Sequence, residues 1–288
     1  MEGRSADKRI GPGCVALAML QLEQTDIVPS PAALLDMQNV RVMRGQKAVL
    51  EGINLRVQLN EQVALLGPNG CGNSTLIKTI TRECYPLPSE ASSITLLGRQ
   101  DWNVFELRSL LGIVSNDLMS SCTSDASGLD VVLSGFFSST AIFPNHTIDP
   151  QHRELAEAAL RQLGILHLAE RAVQEMSSGE AKRVLIARAL VHKPSALLFD
   201  EPCNSLDISA QRSLRETMRA LGKSGIGIFL VTHELADIVP EIERVVLMAK
   251  GRIVADGRKD EVLQERNLRE LFGVEVKLVR HNGYYHIS

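Results

Sequence analysis

Short apolar runs bounded by turn residues recur along this chain, separated by longer stretches with helical spacing. Between Leu34 and Val57, apolar stretches surround turn signals at Arg44-Gly45 and Glu51-Gly52, which predicts strands. Val63 to Leu66, Leu110 to Ser115 and Ile226 to Thr232 predict further strands, and the fully apolar Ala196-Leu-Leu-Phe-Asp200 predicts one buried on both faces of a parallel sheet. Arg244–Ala249 and Arg252–Asp256 flank Lys250-Gly251 and predict a hairpin. Asp149-Pro150 supplies an N-cap followed by a first-turn proline, opening a helix whose buried face is expected at Leu155, Ala159 and Leu163, closed by Gly164. A second helix is expected from near Gly179 to about His192, ended by Pro194. A third follows Ser209, with Leu214, Met218 and Leu221 on one side and Gly222 as its terminator. Residues 85–103 read as irregular connections and short strands, and 116–150 as mixed. Strands alternating with helices predict an α/β fold with a mostly parallel sheet.

Composition changes this picture little. The 288 residues suffice for one large domain or two lobes, and 44% hydrophobic with 23% charged residues is ordinary for a globular chain. A net charge of −3 gives no global attraction to nucleic acid, and no such partner is expected. The five cysteines (Cys14, Cys71, Cys84, Cys122 and Cys203) are odd in number and form no Cys-x-x-Cys pair, which argues against zinc and a disulfide framework and favours a reducing compartment. No apolar run approaches the roughly 18–20 residues needed to cross a bilayer. Cys14 to Leu20, behind Arg4, Lys8 and Arg9, is short for a signal peptide, and Glu2 and Asp7 dilute its basic region. Residues 1–33 are expected to be a poorly ordered extension ended by Pro29 and Pro31, with Met19 an alternative initiator.

The candidate chemistry centres on Gly67-Pro68-Asn69-Gly70-Cys71-Gly72-Asn73-Ser74-Thr75. This glycine-rich stretch follows a predicted strand and precedes Leu76 to Ile80, an alternation of apolar and basic residues expected to be helical. A loop of this kind turns backbone N–H groups and a helix N-terminus toward an anion, and a phosphate chain fits best. The pattern Gly-x-x-x-x-Gly-Lys-Ser/Thr is met except at its lysine, where Asn73 stands. Cys71 sits where a helix N-terminus could lower a thiol pKa, although a small filler residue is the plainer reading.

Four further stretches occur in an order that is informative together. The nine-residue loop resembles the Walker A loop of the ABC ATPases. Met176-Ser-Ser-Gly-Glu180 resembles their signature motif, usually Leu-Ser-Gly-Gly-Gln, and Ala196–Asp200 with Glu201-Pro202 resembles Walker B. Ser205-Leu206-Asp207 resembles the D-loop, and His233 the switch histidine. On these motifs the chain is identified as a member of the ABC ATPase family over residues 34–275. The resemblance implies a P-loop NTPase core, its mostly parallel sheet flanked by helices, with an antiparallel β subdomain and an inserted helical subdomain at about 117–184. A tail strand is expected at 276–288.

The same resemblance implies ATP and Mg²⁺ as cofactors. Gly67 to Thr75 would hold the phosphates, and Ser74, Asn116 and Asp200 the metal. Glu201 would orient or deprotonate the attacking water and His233 would contact the γ-phosphate, with Asp207 counted beside them as catalytic. Ser177, Ser178 and Gly179 would meet the γ-phosphate held by another subunit, which implies a head-to-tail homodimer or a paired ABC ATPase subunit. With no membrane span in the chain, the family role requires a separate integral membrane permease, the chain lying on the cytoplasmic face of the membrane.

Several positions depart from the family pattern. Asn73 lacks the ammonium that would neutralise charge on the β- and γ-phosphates. Losing a charged hydrogen bond is worth about 1.5–3 kcal/mol in binding, and hydrolysis is expected to suffer more. No aromatic residue precedes Tyr85, so the usual adenine stack is missing; Met43 or Arg44 stands near that position and weak base discrimination is expected. Asn116 replaces a glutamine, Ser178 a glycine and Glu180 a glutamine. The expected function is the ATP-binding subunit of an ABC transporter. The tail from Phe272 to Tyr285 is similar to that of importer ATPases for metals and metal chelates. The alternatives are a hydrolysis-deficient regulatory module or a soluble non-transport ABC ATPase, the latter disfavoured because the chain holds one nucleotide-binding unit and no sustained heptads.

Overall fold

The structure, a computed structural model, describes residues 33–122 and 125–288. The expected N-terminal extension lies outside the described residues except for Ala33, which opens β1 (Ala33–Arg44). β1 pairs antiparallel with β2 (Lys47–Gln58) across Gly45, whose φ of 60° suits the tight turn. β3 (Gln62–Leu66) leads through the glycine-rich loop into α1 (Asn73–Ile80). β4 (Ser93–Leu96) returns to pair with β1, completing a three-stranded antiparallel sheet in the order β2-β1-β4.

α2 (Val104–Leu110) and β5 (Leu111–Ser115) follow, then α3 (Asn116–Ser121), α4 (Gly128–Ser134), α5 (Pro150–Gln162) and α6 (Ser178–Leu190). β6 (Ala196–Asp200), α7 (Ile208–Lys223) and β7 (Gly227–Thr232) precede the hairpin of β8 (Arg244–Ala249) and β9 (Arg252–Arg258). The chain closes with α8 (Lys259–Val262), α9 (Glu265–Phe272), β10 (Leu278–His281) and β11 (Tyr284–Ile287). The main sheet runs β5-β6-β7-β3-β8-β9, parallel throughout except for β9.

The continuous apolar runs are explained by burial of both sheet faces. Ala64, Leu66, Leu197, Phe199, Ile228 and Leu230 enter one core, shared with helices α4 to α7. Their neighbours Val63, Leu65, Ala196, Leu198, Phe229 and Val231 enter a second core, shared with α1 and the antiparallel sheet. Side chains alternate across a strand, so each run must be apolar at every position to serve both cores.

Four expectations are corrected. α3 and α4 lie in the stretch read as mixed, α2 fills 104–110, for which no helix was expected, and Leu110 ends α2 rather than opening β5. These helices are short and rest on local caps: Asn103 accepts from Phe105 N, and Ser127 with Asp130 forms a capping box. α5 buries Ala156, Ala159 and Leu160 where it packs on α4 and α6, a face rotated by about one residue from that expected. α7 runs through Gly222 and stops at Ser224-Gly225, where Gly225 takes the φ of 87° that the termination needs. Gly222 is instead a packing glycine: Gln62 Nε2 donates to its carbonyl at 2.8 Å, and a Cβ there would lie 2.7 Å from Gln62 Oε1. Finally, the tail is a two-stranded hairpin with its own sheet, turned at Asn282-Gly283, both at positive φ as a type I′ turn requires.

Candidate functional site

The glycine-rich loop leaves the C-terminal end of β3, the central strand, and enters α1. Gly70 (φ 79°) and Gly72 (φ 118°) take conformations an L side chain resists. Gly67 has no room for a Cβ, which would meet the Met248 carbonyl at 2.5 Å. Cys71 N donates to Pro68 O, and Gly251 N, from the β8–β9 turn, donates to Cys71 O at 2.7 Å, so the neighbouring hairpin holds the loop's shape. Asn69, Gly70 and Ser74 face solvent while Thr75 is buried.

Asn73 is turned inward. Its Nδ2 donates to Gly67 O at 3.3 Å and its Oδ1 accepts from the Cys71 thiol at 3.1 Å, leaving the residue 8% exposed. The carboxamide thus braces the loop from within. Burial pushes the Cys71 thiol up, which favours the filler reading over a reactive thiolate.

Ser74, Asn116, Asp200 and Glu201 line one open cleft of about 350 Å³, together with Lys78 and Asp117. Three elements deliver them: Ser74 and Lys78 stand four residues apart on one face of α1, Asn116 opens α3, and Asp200 ends β6. Burial, with Glu201 and Asp117 nearby, raises the Asp200 carboxyl to about 6, and the Lys78 ammonium partly opposes this. Lys78 itself pairs with Asp117 at 3.7 Å. The oxygen donors of Ser74, Asn116 and Asp200 suit a hard divalent cation, which would offset the burial and the neighbouring carboxylates that raise the Asp200 carboxyl.

Glu201 follows in the left-handed region, at φ 46°. Its N–H donates to Val231 O at 2.9 Å, tying it to β7. One carboxylate oxygen lies 3.1 Å from His233 Nδ1, and the other accepts from Asn204 Nδ2 at 3.3 Å. The two residues, 32 positions apart, are brought together because β6 and β7 are parallel neighbours and both loops leave the C-terminal end of the sheet.

Ser177, Gly179 and Asp207 line a different cleft. Ser177 caps α6, its hydroxyl and N–H both held by Glu180, whose carboxyl is lowered by those bonds and by Arg171. Glu180 is therefore part of a capping box. Ser178 is exposed at the first turn, and Gly179 lets α7 pass, since a Cβ there would lie 2.8 Å from Ala210 Cβ. Asp207 caps α7 by accepting from Ala210 N at 2.8 Å. The structure does not bring it into the cleft of Asp200 and Glu201.

A family model for ABC transporters matches residues 50–204. The chain is 35% identical to the hemin import ATP-binding protein HmuV of Hahella chejuensis over 77% of its length and 85% of the relative's. It is 32% identical to HmuV of Bordetella avium, covering 86% and 95%. The chain belongs to the ABC transporter family. It is an ATP-binding subunit of such a transporter. Among solved structures, cbiO1 of Clostridium perfringens, part of the transporter complex cbiONQ, superposes with a TM-score of 0.70 at 28% identity over 83% of this chain and 94% of that one. The ADP conformation of the ATP-binding cassette MJ1267 superposes with 0.71 at 23% identity over 84% and 99%, a likeness of fold. No helix among the described residues is long and apolar enough to cross a membrane.

Motif reading of this ABC subunit missed the residues that support the site from behind. Lys182, buried on α6, donates to the carbonyls of Pro202 and, at 2.9 Å, Asn204; burial lowers its ammonium's pKa. Asp237, also buried, accepts from Arg215 at 2.8 Å and from Thr232 Oγ1 at 3.1 Å. That hydroxyl in turn accepts from Glu234 N at 3.0 Å, so the segment around His233 is braced on both sides. Burial and Asp237 raise the Cys203 thiol to about 12, leaving it a neutral packing group. The tail hairpin carries His286 to the rim of the cleft formed by Glu201, Asn204 and His233. Lys78 was findable, lying at i+4 from Ser74; the others sit at separations that carry no local pattern.

Proposed function

We propose that this ATP-binding subunit holds Mg-ATP between two chains in a head-to-tail dimer and couples it to a separate membrane permease, with hydrolysis held low by Asn73. The observation that carries this reading is the contrast within one site. Glu201 and His233 stand in contact beside Asp200, while Asn73 is folded into its own loop. In this reading the N–H groups of Gly67 to Thr75 hold the phosphates, and Ser177 to Gly179 of a second chain close over them. Ser74, Asp200 and Asn116 would hold Mg²⁺, which when bound supplies positive charge against the phosphate oxygens. Glu201 accepts a hydrogen bond from the attacking water and takes its proton, the carboxylate being held in place by His233 and Asn204. Asn73 supplies no cation to the developing charge, and removal of one such stabilising contact lowers turnover by about 10²–10³. The cargo class follows the two HmuV relatives, named for hemin import: a metal chelate of the haem kind.

The deciding experiment measures phosphate release with saturating Mg-ATP on this chain and on Asn73→Lys side by side. The reading expects the lysine chain to turn over at least about 100-fold faster. Equal rates would remove Asn73 as the brake. Silence from both, with nucleotide still bound, would favour a non-hydrolysing nucleotide-binding module.

A further inference from the structure

The segment from Glu201 to Leu206 carries a conformational problem. Glu201 and Ser205 both sit at positive φ (46° and 63°), where a residue with a Cβ is strained and persists only if its surroundings hold it. Within the segment, Asn204 N donates to Glu201 O at 3.2 Å and Leu206 N to Cys203 O at 3.3 Å, which are local bonds of turn type. The Glu201 N–H ties the start of the segment to Val231 O of β7, and the long-range hold on the residues after it comes from Lys182. Its stem is buried in α6 five residues beyond the Ser177 cap, and its ammonium donates to the carbonyls of Pro202 and Asn204. Asn204 then turns its side chain back, Nδ2 donating to Glu201 Oε2 at 3.3 Å. Two side chains, Lys182 and Asn204, therefore join the helix capped by Ser177 to the carboxylate that faces His233.

We propose that Lys182 is a positioning residue: it pins the carbonyls of Pro202 and Asn204 so that Asn204 holds the Glu201 carboxylate against His233, making the aim of Glu201 depend on where α6 sits. This rests on the reading of Glu201 as the group that takes the proton from water. An ammonium fits the task because it has several donors and no acceptor, so it satisfies two carbonyls that converge from one turn. If α6 is the element whose first turn meets a second chain's nucleotide, a shift of α6 is passed to Glu201 through these bonds, and a site closed by the second chain has its base aimed by the same event.

The test begins with the full chain as it exists, without nucleotide, by amide hydrogen exchange of residues 201–206. Lys182→Met keeps the apolar stem and removes the donors. Exchange in that segment is expected to rise at least tenfold, while α6 and β7 stay within twofold. Lys182→Gln, which keeps two N–H donors, is expected to recover much of the loss. Unchanged exchange at 201–206, the same result for Met and Gln, or acceleration spread through β6 and β7 would each overturn the proposal, the last by showing a packing role only.

A second arm uses Asn204→Ala in the Asn73→Lys chain, which leaves Lys182 and the core untouched. There kcat is expected to fall at least tenfold with the Kd for Mg-ATP within twofold, and an unchanged kcat would overturn the proposal. Should Asn73→Lys itself not turn over, the account of Asn73 fails, while the exchange measurement still decides on Lys182.

Discussion

Asp200 ends a strand buried on both faces, and its carboxyl is held well above the ordinary 3.8, at about 6, by burial and by Glu201 and Asp117. Folding therefore takes up a proton at this group between about pH 4 and 6. Its contribution to stability is fully present below the unfolded value and is lost as pH rises through the folded one. Asp200→Asn removes that burden. Each pKa unit corresponds to about 1.4 kcal/mol, so with an allowance for solvent access the variant should be about 2 kcal/mol more stable near pH 7.5 and no more stable near pH 3, below the unfolded value. Urea unfolding in metal- and nucleotide-free buffer checks this, and a pH-independent difference would mean that packing, not charge, is responsible. Asp200, Glu201 and Asn73 were legible as residues because each lies in a contiguous motif. The inward turn of Asn73 was not, because it depends on the Gly67 carbonyl and the Cys71 thiol converging on one side of the loop. Lys182 was illegible for the same kind of reason: its partners lie about twenty residues away, on a turn whose shape no local pattern specifies.

At the level of elements, the strands were read well because both-face burial leaves an unbroken apolar run, as in Ala196 to Phe199. Helices α2, α3 and α4 were missed because each is six or seven residues long, too short to show a period, and depends on its cap and on packing. The caps themselves make a sharp prediction at Asp207, which the D-loop resemblance groups with the catalytic residues but whose carboxylate caps α7. Asp207→Ala should cost about 1 kcal/mol of stability, whereas Asp207→Asn, an equally good cap, should cost only a few tenths. Urea midpoints on both variants measure this. Comparable losses from Ala and Asn would show that the negative charge, rather than the cap, is what the fold uses.

Across the whole molecule, the cleft of Ser74, Asn116, Asp200 and Glu201 and the cleft of Ser177, Gly179 and Asp207 share no lining residue. In the proposed reading these clefts are the two halves of a nucleotide site, which a second copy of the chain would bring together. Ser178 tests this without disturbing the monomer. It is exposed in the first turn of α6, where a carboxylate is favoured by the helix dipole by about 0.3–1 kcal/mol. Ser178→Asp should therefore leave the thermal midpoint of the free chain unchanged or slightly raised. The same carboxylate would face the γ-phosphate brought by a second chain, and two like charges that close repel strongly once water is displaced. Paired with Asn73→Lys to secure the phosphate and Glu201→Gln to prevent its loss, the parent should double its mass on adding Mg-ATP in light scattering. The same chain carrying Ser178→Asp should remain a monomer at every nucleotide concentration that saturates binding. A nucleotide-dependent dimer that tolerates Ser178→Asp would mean that the first turn of α6 does not lie against the phosphates, and the head-to-tail arrangement would have to be abandoned for one that joins the chains elsewhere.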